Sequence, residues 1–154
     1  MVTKMSRLRT GSRELKDFRR KTTGRQTKDR ILIVCEGEKT EPKYFLGFRL
    51  TNVKVIGAGD NTENIVRLAI KLKEEAKRER ESYNQIWCVF DRDSFPAQHF
   101  NNAISLAHQN DIKVGYSNEA FELWYLLHYN YYDSAISRTD YINKLSELLG
   151  YKYV

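Results

Sequence analysis

Apolar positions along this chain fall into short unbroken runs and longer stretches spaced at helical intervals. The first run, Ile31-Leu32-Ile33-Val34-Cys35, has no polar interruption and stops at Glu36-Gly37-Glu38. A β-branched run of this length predicts a strand buried on both faces, as in a parallel sheet. Thr40 suits a helix cap and Pro42 a first turn, so a helix is predicted over 41–50, carrying Tyr44, Phe45 and Phe48. Val53–Ile56 predicts a second strand and Gly57-Ala58-Gly59-Asp60 a loop. The two glycines resemble a phosphate cradle only weakly, because the Lys-Ser/Thr of a Walker loop is missing. Asp60 with Glu63 reads as a capping box. The helix behind it runs to about Arg80, with Ile65, Ala69, Leu72 and Ala76 inward and the charge run from Lys71 to Glu81 as solvated surface.

Gln85–Phe90 repeats the first design and ends in an Asp91-Arg92-Asp93 turn. Pro96 opens a helix with Phe100, Ala103, Ile104 and Ala107 on its inner face, and Ile112-Lys113-Val114 is a fourth strand. Ser117 or Asn118 is the expected cap of a helix from Glu119 to about Tyr129. Ser137 and Asp140 begin the last helix, with Ile142, Leu145, Leu148 and Leu149 inward and Gly150 as its stop. Strands alternating with helices predict an α/β fold: a three-layer, Rossmann-like domain on a parallel sheet of about four strands with right-handed crossovers. In strand order 2-1-3-4, strands 1 and 3 are neighbours. The crevice between them is a topological switch point, where such sheets bind ligands. Glu36 and Asp91/Asp93 meet there, and strand 4 brings Asn118, Glu119 and Glu122 to the same rim.

Composition narrows the class. At 154 residues, 41% hydrophobic and 30% charged, the chain fits one soluble globular domain. No apolar run approaches the roughly 18 residues of a membrane span, and the basic N-terminus lacks the apolar core of a signal peptide. A cytoplasmic protein is expected, with Cys35 and Cys88 as small core residues rather than a disulfide or zinc ligands. The net charge of +6 is uneven. Residues 1–30 hold eleven Lys/Arg against three Asp/Glu, while the remaining 124 residues hold fifteen against seventeen. The basicity belongs to an arm, residues 1–29, expected to be flexible and followed by the domain at 30–154. Arg19, Arg20, Lys21, Arg25, Lys28 and Arg30 are its candidate phosphate contacts; a solvated tail is the plainer reading.

Carboxylates converging at one sheet edge repel each other and attract a divalent cation. Mg²⁺ takes one or two carboxylates together with waters and phosphate oxygens. Glu36, Asp91 and Asp93 are the candidate ligands of Mg²⁺ or Mn²⁺, with Glu36 also a candidate general base. Lys39, and Arg92 if it points inward, can stabilise charge on a phosphate. An Asp-x-Asp after a strand is by itself more often a turn bonding backbone amides. Its pairing with Glu-Gly-Glu favours the metal. Glu122 sits among apolar neighbours in Phe121–Leu127 and needs a partner, in the site or in a buried salt bridge. His128 is read as a core residue before a proton carrier, and the aromatics of 121–132 as core or a homodimer interface before base-stacking groups.

Three blocks together carry a family resemblance: Ile31–Phe45, Ile86–Asp93 and Tyr116–His128. They resemble, in order, the RloB-like family, whose proteins are similar to the Toprim domains of topoisomerases, primases and related nucleases. The resemblance implies a Toprim-like fold in which Glu36 and Asp91/Asp93 carry Mg²⁺-dependent phosphoryl transfer and Glu122 is a further acid. It also implies an effector nuclease of bacterial anti-phage defence or restriction loci, working with an AAA-type ATPase. Family members tend to be longer, so a domain truncated at its C-terminus is expected. Many members carry Asn-Pro-Cys where this chain has Asn118-Glu119-Ala120, making Glu119 either an extra ligand or a helix N-terminal charge.

The sequence therefore favours a metal-dependent nuclease acting on DNA or RNA. A phosphatase using Asp91 as nucleophile is weaker, because that motif usually lies in the first strand and Glu36 would be idle. A non-catalytic nucleic-acid-binding or regulatory module is the main alternative, and a receiver-like signalling domain a weaker one.

Overall fold

The computed structural model describes residues 28–92, 96–134 and 136–153. Its elements are β1 (Ile31–Cys35), α1 (Thr40–Gly47), β2 (Val53–Gly57), α2 (Thr62–Arg78), β3 (Gln85–Arg92), α3 (Ala97–Gln109), β4 (Lys113–Asn118), α4 (Glu122–Leu127) and α5 (Arg138–Leu149). The four strands form one parallel sheet in the order β2-β1-β3-β4. The predicted architecture and strand order are therefore both observed.

The unbroken run of β1 is explained by what covers its two faces. Leu32 and Val34 join Ile86, Cys88 and Phe90 of β3 in a core closed by Ile65, Val66 and Ala69 of α2 and by Ala103 and Ala107 of α3. Ile33 and Cys35 point the other way, to Val89 and Phe121, with Tyr44 and Phe45 of α1 packed alongside. A third cluster joins α4 to α5 through Ala120, Leu126, Tyr141 and Leu145. Full burial of a side chain such as Phe90 contributes about 1.5–3 kcal/mol. Both cysteines are buried and unpaired, and burial pushes each thiol up to about 12. No helix among the described residues is long and apolar enough to cross a membrane.

Several local expectations are corrected. Asp91 and Arg92 are the last residues of β3 rather than a turn, paired with Ser117 and Asn118 of β4. Since β4 runs on to Asn118, neither Ser117 nor Asn118 caps a helix. Glu119 turns the chain at a left-handed φ of 65°, and the helix that follows covers only Glu122–Leu127. The N-cap of α2 is Asn61, whose Oδ1 accepts the Asn64 N–H at 3.1 Å. Asp60 braces that cap from one residue earlier, and Glu63 pairs with Arg67 instead of completing a box. The start of α5 at Ser137, which the structure shows closed as a capping box with Asp140, and the Gly150 stop are as expected, but Tyr141 and Leu145 carry its inner face while Leu148 is exposed.

Candidate active site

Parallel register sets the geometry of the crevice. Cys35 pairs with Val89, so Glu36 emerges one residue beyond the β1 ladder, its N–H donating to the Val89 carbonyl at 2.9 Å. One Glu36 carboxylate oxygen, Oε2, then accepts the Asp91 N–H at 3.0 Å, tying the end of β1 to the next strand. Asp91 in turn reaches β4's continuation: its Oδ2 accepts the Phe121 N–H at 3.2 Å, so a residue of β3 supplies the acceptor at the start of α4. The left-handed turn at Glu119 makes this possible, and its N–H is held by the Arg92 carbonyl at 3.0 Å. Such a backbone conformation in a non-glycine residue costs about 1–3 kcal/mol and persists where the surroundings hold it.

Glu41 completes the cluster from α1. It is 5% exposed, and its Oε1 accepts the Gly37 N–H at 3.0 Å. Gly37 is required for this contact, because a Cβ there would lie 2.1 Å from Glu41 Oε2. Gly57 allows the same turn from the β2 side, where a Cβ would meet the Gly37 carbonyl at 2.6 Å. Glu36, Glu41, Asp91 and Glu122 thus line one cavity of about 300 Å³. Its cationic lining residue is Arg138, the first residue of α5. Arg138 Nη2 lies 3.7 Å from Asp91 Oδ2 and donates to the Glu119 carbonyl at 3.0 Å, while Arg138 N–H donates to Glu119 Oε2 at 3.1 Å.

The electrostatics follow from this crowding. Burial and the neighbouring Glu41 raise the Asp91 carboxyl to about 7; Glu36 adds to the rise, while the Ser117 hydroxyl and Arg138 oppose it. Asp91 Oδ1 is buried and has no hydrogen-bond partner among the described residues. An ionised carboxylate in that setting is poorly solvated, so below about pH 7 the proton is retained unless another cation arrives. Among the described residues, no group of three His, Cys, Asp or Glu side chains is placed to hold a metal ion. The donors present, an orphaned Asp91 oxygen beside Glu36, fit an ion that keeps most of its own waters, as Mg²⁺ does.

The structure thus brings Glu36, Asp91 and Glu122 to one crevice. Glu122 is half-buried there and meets its need for a partner at the Tyr153 hydroxyl, which burial and this carboxylate push up to about 12. Asp93 lies outside the described residues, as do Arg19, Arg20, Lys21 and Arg25. Lys39 is exposed at the start of α1 and does not line the acidic cavity. Lys28 is exposed just before β1. Arg30 sits at the opposite end of β1 from Glu36, about 20 Å away by strand rise. It bonds the Glu81 carbonyl and carboxylate at 2.7 and 3.0 Å and lies over the Tyr83 ring. Glu119 clasps α5 through Arg138. His128 is exposed and hydrogen-bonded to the Tyr44 hydroxyl at 3.0 Å, outside the acidic cavity.

Two members of the crevice do not stand out in the sequence. Glu41 carries a signal, an acid between Thr40 and Pro42, but acids in a first helical turn are common for dipole reasons alone. Arg138 carries none, since only the packing of α5 on α4 brings it to Asp91. In comparison with known proteins, the family model for RloB-like protein matches residues 31–154. No curated protein matches the chain.

Proposed function

Because the chain belongs to the RloB-like protein family, we propose that it is a Mg²⁺- or Mn²⁺-dependent nuclease that hydrolyses phosphodiester bonds of DNA or RNA at the Glu36–Asp91 crevice. The family resemblance extends the proposal to an effector role in anti-phage defence beside an AAA-type ATPase. The observation that carries it is Asp91: a partly buried carboxylate at a switch-point edge, crowded by acids, with one buried oxygen that has no partner among the described residues. Glu36 and Asp91 would hold the ion, with Asp93 a further candidate from the sequence. Bound there, the ion would supply Lewis-acid stabilisation of a phosphoryl oxygen.

The chain's own residues have separable tasks. The Asp91 N–H fixes one oxygen of Glu36 and so orients that carboxylate at the crevice. Glu122, which lines the same cavity, would accept a proton from an attacking water. Arg138 faces the acids from α5 and can balance charge growing on the phosphate. Lys39 adds a mobile cation from outside the cavity.

The test is cleavage of single- and double-stranded DNA and RNA with Mg²⁺ or Mn²⁺, beside Asp91→Asn. Cleavage should fall by more than about 100-fold, beyond what loss of an outer partner of a metal ligand typically costs. Full activity in that variant would remove Asp91 from the chemistry. The alternative is a non-catalytic nucleic-acid-binding module. Nucleic acid bound but never cut, with either metal, would select that reading.

A further inference from the structure

Glu36 and Asp91 also form the wall of a second cavity, of about 520 Å³, on the side of the sheet covered by α2 and α3. It differs in kind from the acidic one. Arg92, the last residue of β3, is exposed, and its guanidinium lies over the Phe100 ring at 5.6 Å. Among the described residues Arg92 forms no ion pair. Phe100 is itself held edge-on by Phe90 and by Tyr116, which is half exposed on β4. The result is a cation over a braced aromatic ring, with Thr62 and His99 also lining the cavity. Glu63 is the added acid of the lining, and Arg67 neutralises it at 2.6 Å.

A guanidinium over a ring gives a platform on which an unpaired base stacks, and its free edge hydrogen-bonds a phosphate. The volume lies in the range of small-ligand sites, about 300–1,000 Å³, so one nucleotide fits and a paired duplex does not. The shared wall makes the two cavities consecutive stops for one strand. We propose that this cavity binds the nucleotide flanking the cleaved phosphate, in single-stranded form, with its base on the Arg92–Phe100 platform. The assignment rests on the nuclease reading for its place along the strand, but its test involves no cleavage.

The probe is a 5′-phosphorylated dithymidylate, titrated calorimetrically into the full chain in EDTA, with pyrophosphate as a base-free comparison. Pyrophosphate carries a similar charge and so accounts for any hold by the basic arm. The dinucleotide should bind at least about 5-fold more tightly than pyrophosphate, the low end expected for stacking a base. Arg92→Ala should weaken it about 10-fold or more. Arg92→Lys, which keeps charge but not the plane, should recover less than half of that loss in free energy. A single strand should compete with the dinucleotide, and the blunt duplex of the same sequence should not. Equal binding of pyrophosphate, unchanged binding in Arg92→Ala, equal competition by the duplex, or no dinucleotide binding at millimolar concentration would each overturn the proposal. Absence of cleavage with every metal, with the dinucleotide still bound through Arg92, would instead defeat the nuclease reading and leave this site standing.

Discussion

The two cavities that share the Glu36–Asp91 wall are opposites. One gathers four carboxylates around a single guanidinium, with Glu41 and Asp91 largely out of water. The other offers an exposed guanidinium on an aromatic ring, its added acid already neutralised. A cluster of acids held together by packing is a store of electrostatic repulsion that a bound cation relieves. An exposed cation backed by a ring stores little and is available to an anion or a base. The difference teaches how the edge of one parallel sheet separates work by strand parity. Asp91 and Arg92 are successive residues of β3, so their side chains leave on opposite faces: Asp91 is part of the wall the cavities share, and Arg92 lines only the second.

The comparison can be broken most directly by removing one acid at a time. Glu36→Gln should abolish cleavage to within background, a loss of more than about 100-fold measured on the best substrate, because the acid is needed by either role assigned to it. Arg92→Ala should leave turnover at saturating substrate nearly intact and raise the substrate concentration needed. Full turnover in Glu36→Gln would favour the phosphatase reading, in which Asp91 alone is the nucleophile.

A second way is to disturb the packing that holds the acids together. Gly37→Ala places a methyl group where Glu41 Oε2 now lies. It should destabilise the fold by about 1–3 kcal/mol, the usual range for overpacking, read from urea midpoints. Gly47→Ala, at a helix position with open space around its Cβ, is the control and should be neutral or mildly stabilising. A loss confined to Gly37→Ala would support the tight acidic turn.

The pH dependence of stability sharpens the contrast further. The native Asp91 carboxyl titrates near 7, above the ordinary value near 4 for an unfolded aspartate. The folded chain therefore binds this proton more tightly than the unfolded one. Stability is lost as pH rises from about 4 to about 7 and stays lost above that. Asp91→Asn, which cannot ionise, should melt on the order of 5 °C higher than the parent at pH 8, with the gap closing toward pH 4. An equal or lower melting temperature at pH 8 would mean that the carboxylate is better solvated than its surroundings indicate. The smallest effect concerns the arm. Deleting residues 1–27 should lower the slope of log binding constant against log salt by roughly 0.7–0.9 for each phosphate that the arm neutralises. An unchanged slope would mean that the arm touches no phosphate.

Much of this is legible in the chain. The runs Ile31–Cys35 and Ile86–Phe90 locate the two central strands because full burial on both faces demands unbroken apolar sequence. The carboxyl-end rule then places Glu36 beside Asp91 from strand order alone. What the sequence does not reveal is tertiary in origin. Ser117 and Asn118 look like caps, yet cross-strand pairing with Asp91 and Arg92 extends β4 through both. The bond that a local cap would have made at the start of α4 comes from Asp91, thirty residues earlier. Arg138 is separated from Asp91 by 47 positions, and no periodicity connects them. Arg92 suits a phosphate ligand of the acidic crevice only if it points inward; strand parity instead turns it toward the second cavity.

The most direct measurement is a Mn²⁺ titration of the full chain at pH 8, followed by electron paramagnetic resonance, beside Asp91→Asn. The account predicts a bound ion in the parent chain and loss of that binding in the variant. Undiminished binding in Asp91→Asn, or none in the parent at millimolar Mn²⁺, would contradict a metal-dependent site at the Glu36–Asp91 crevice.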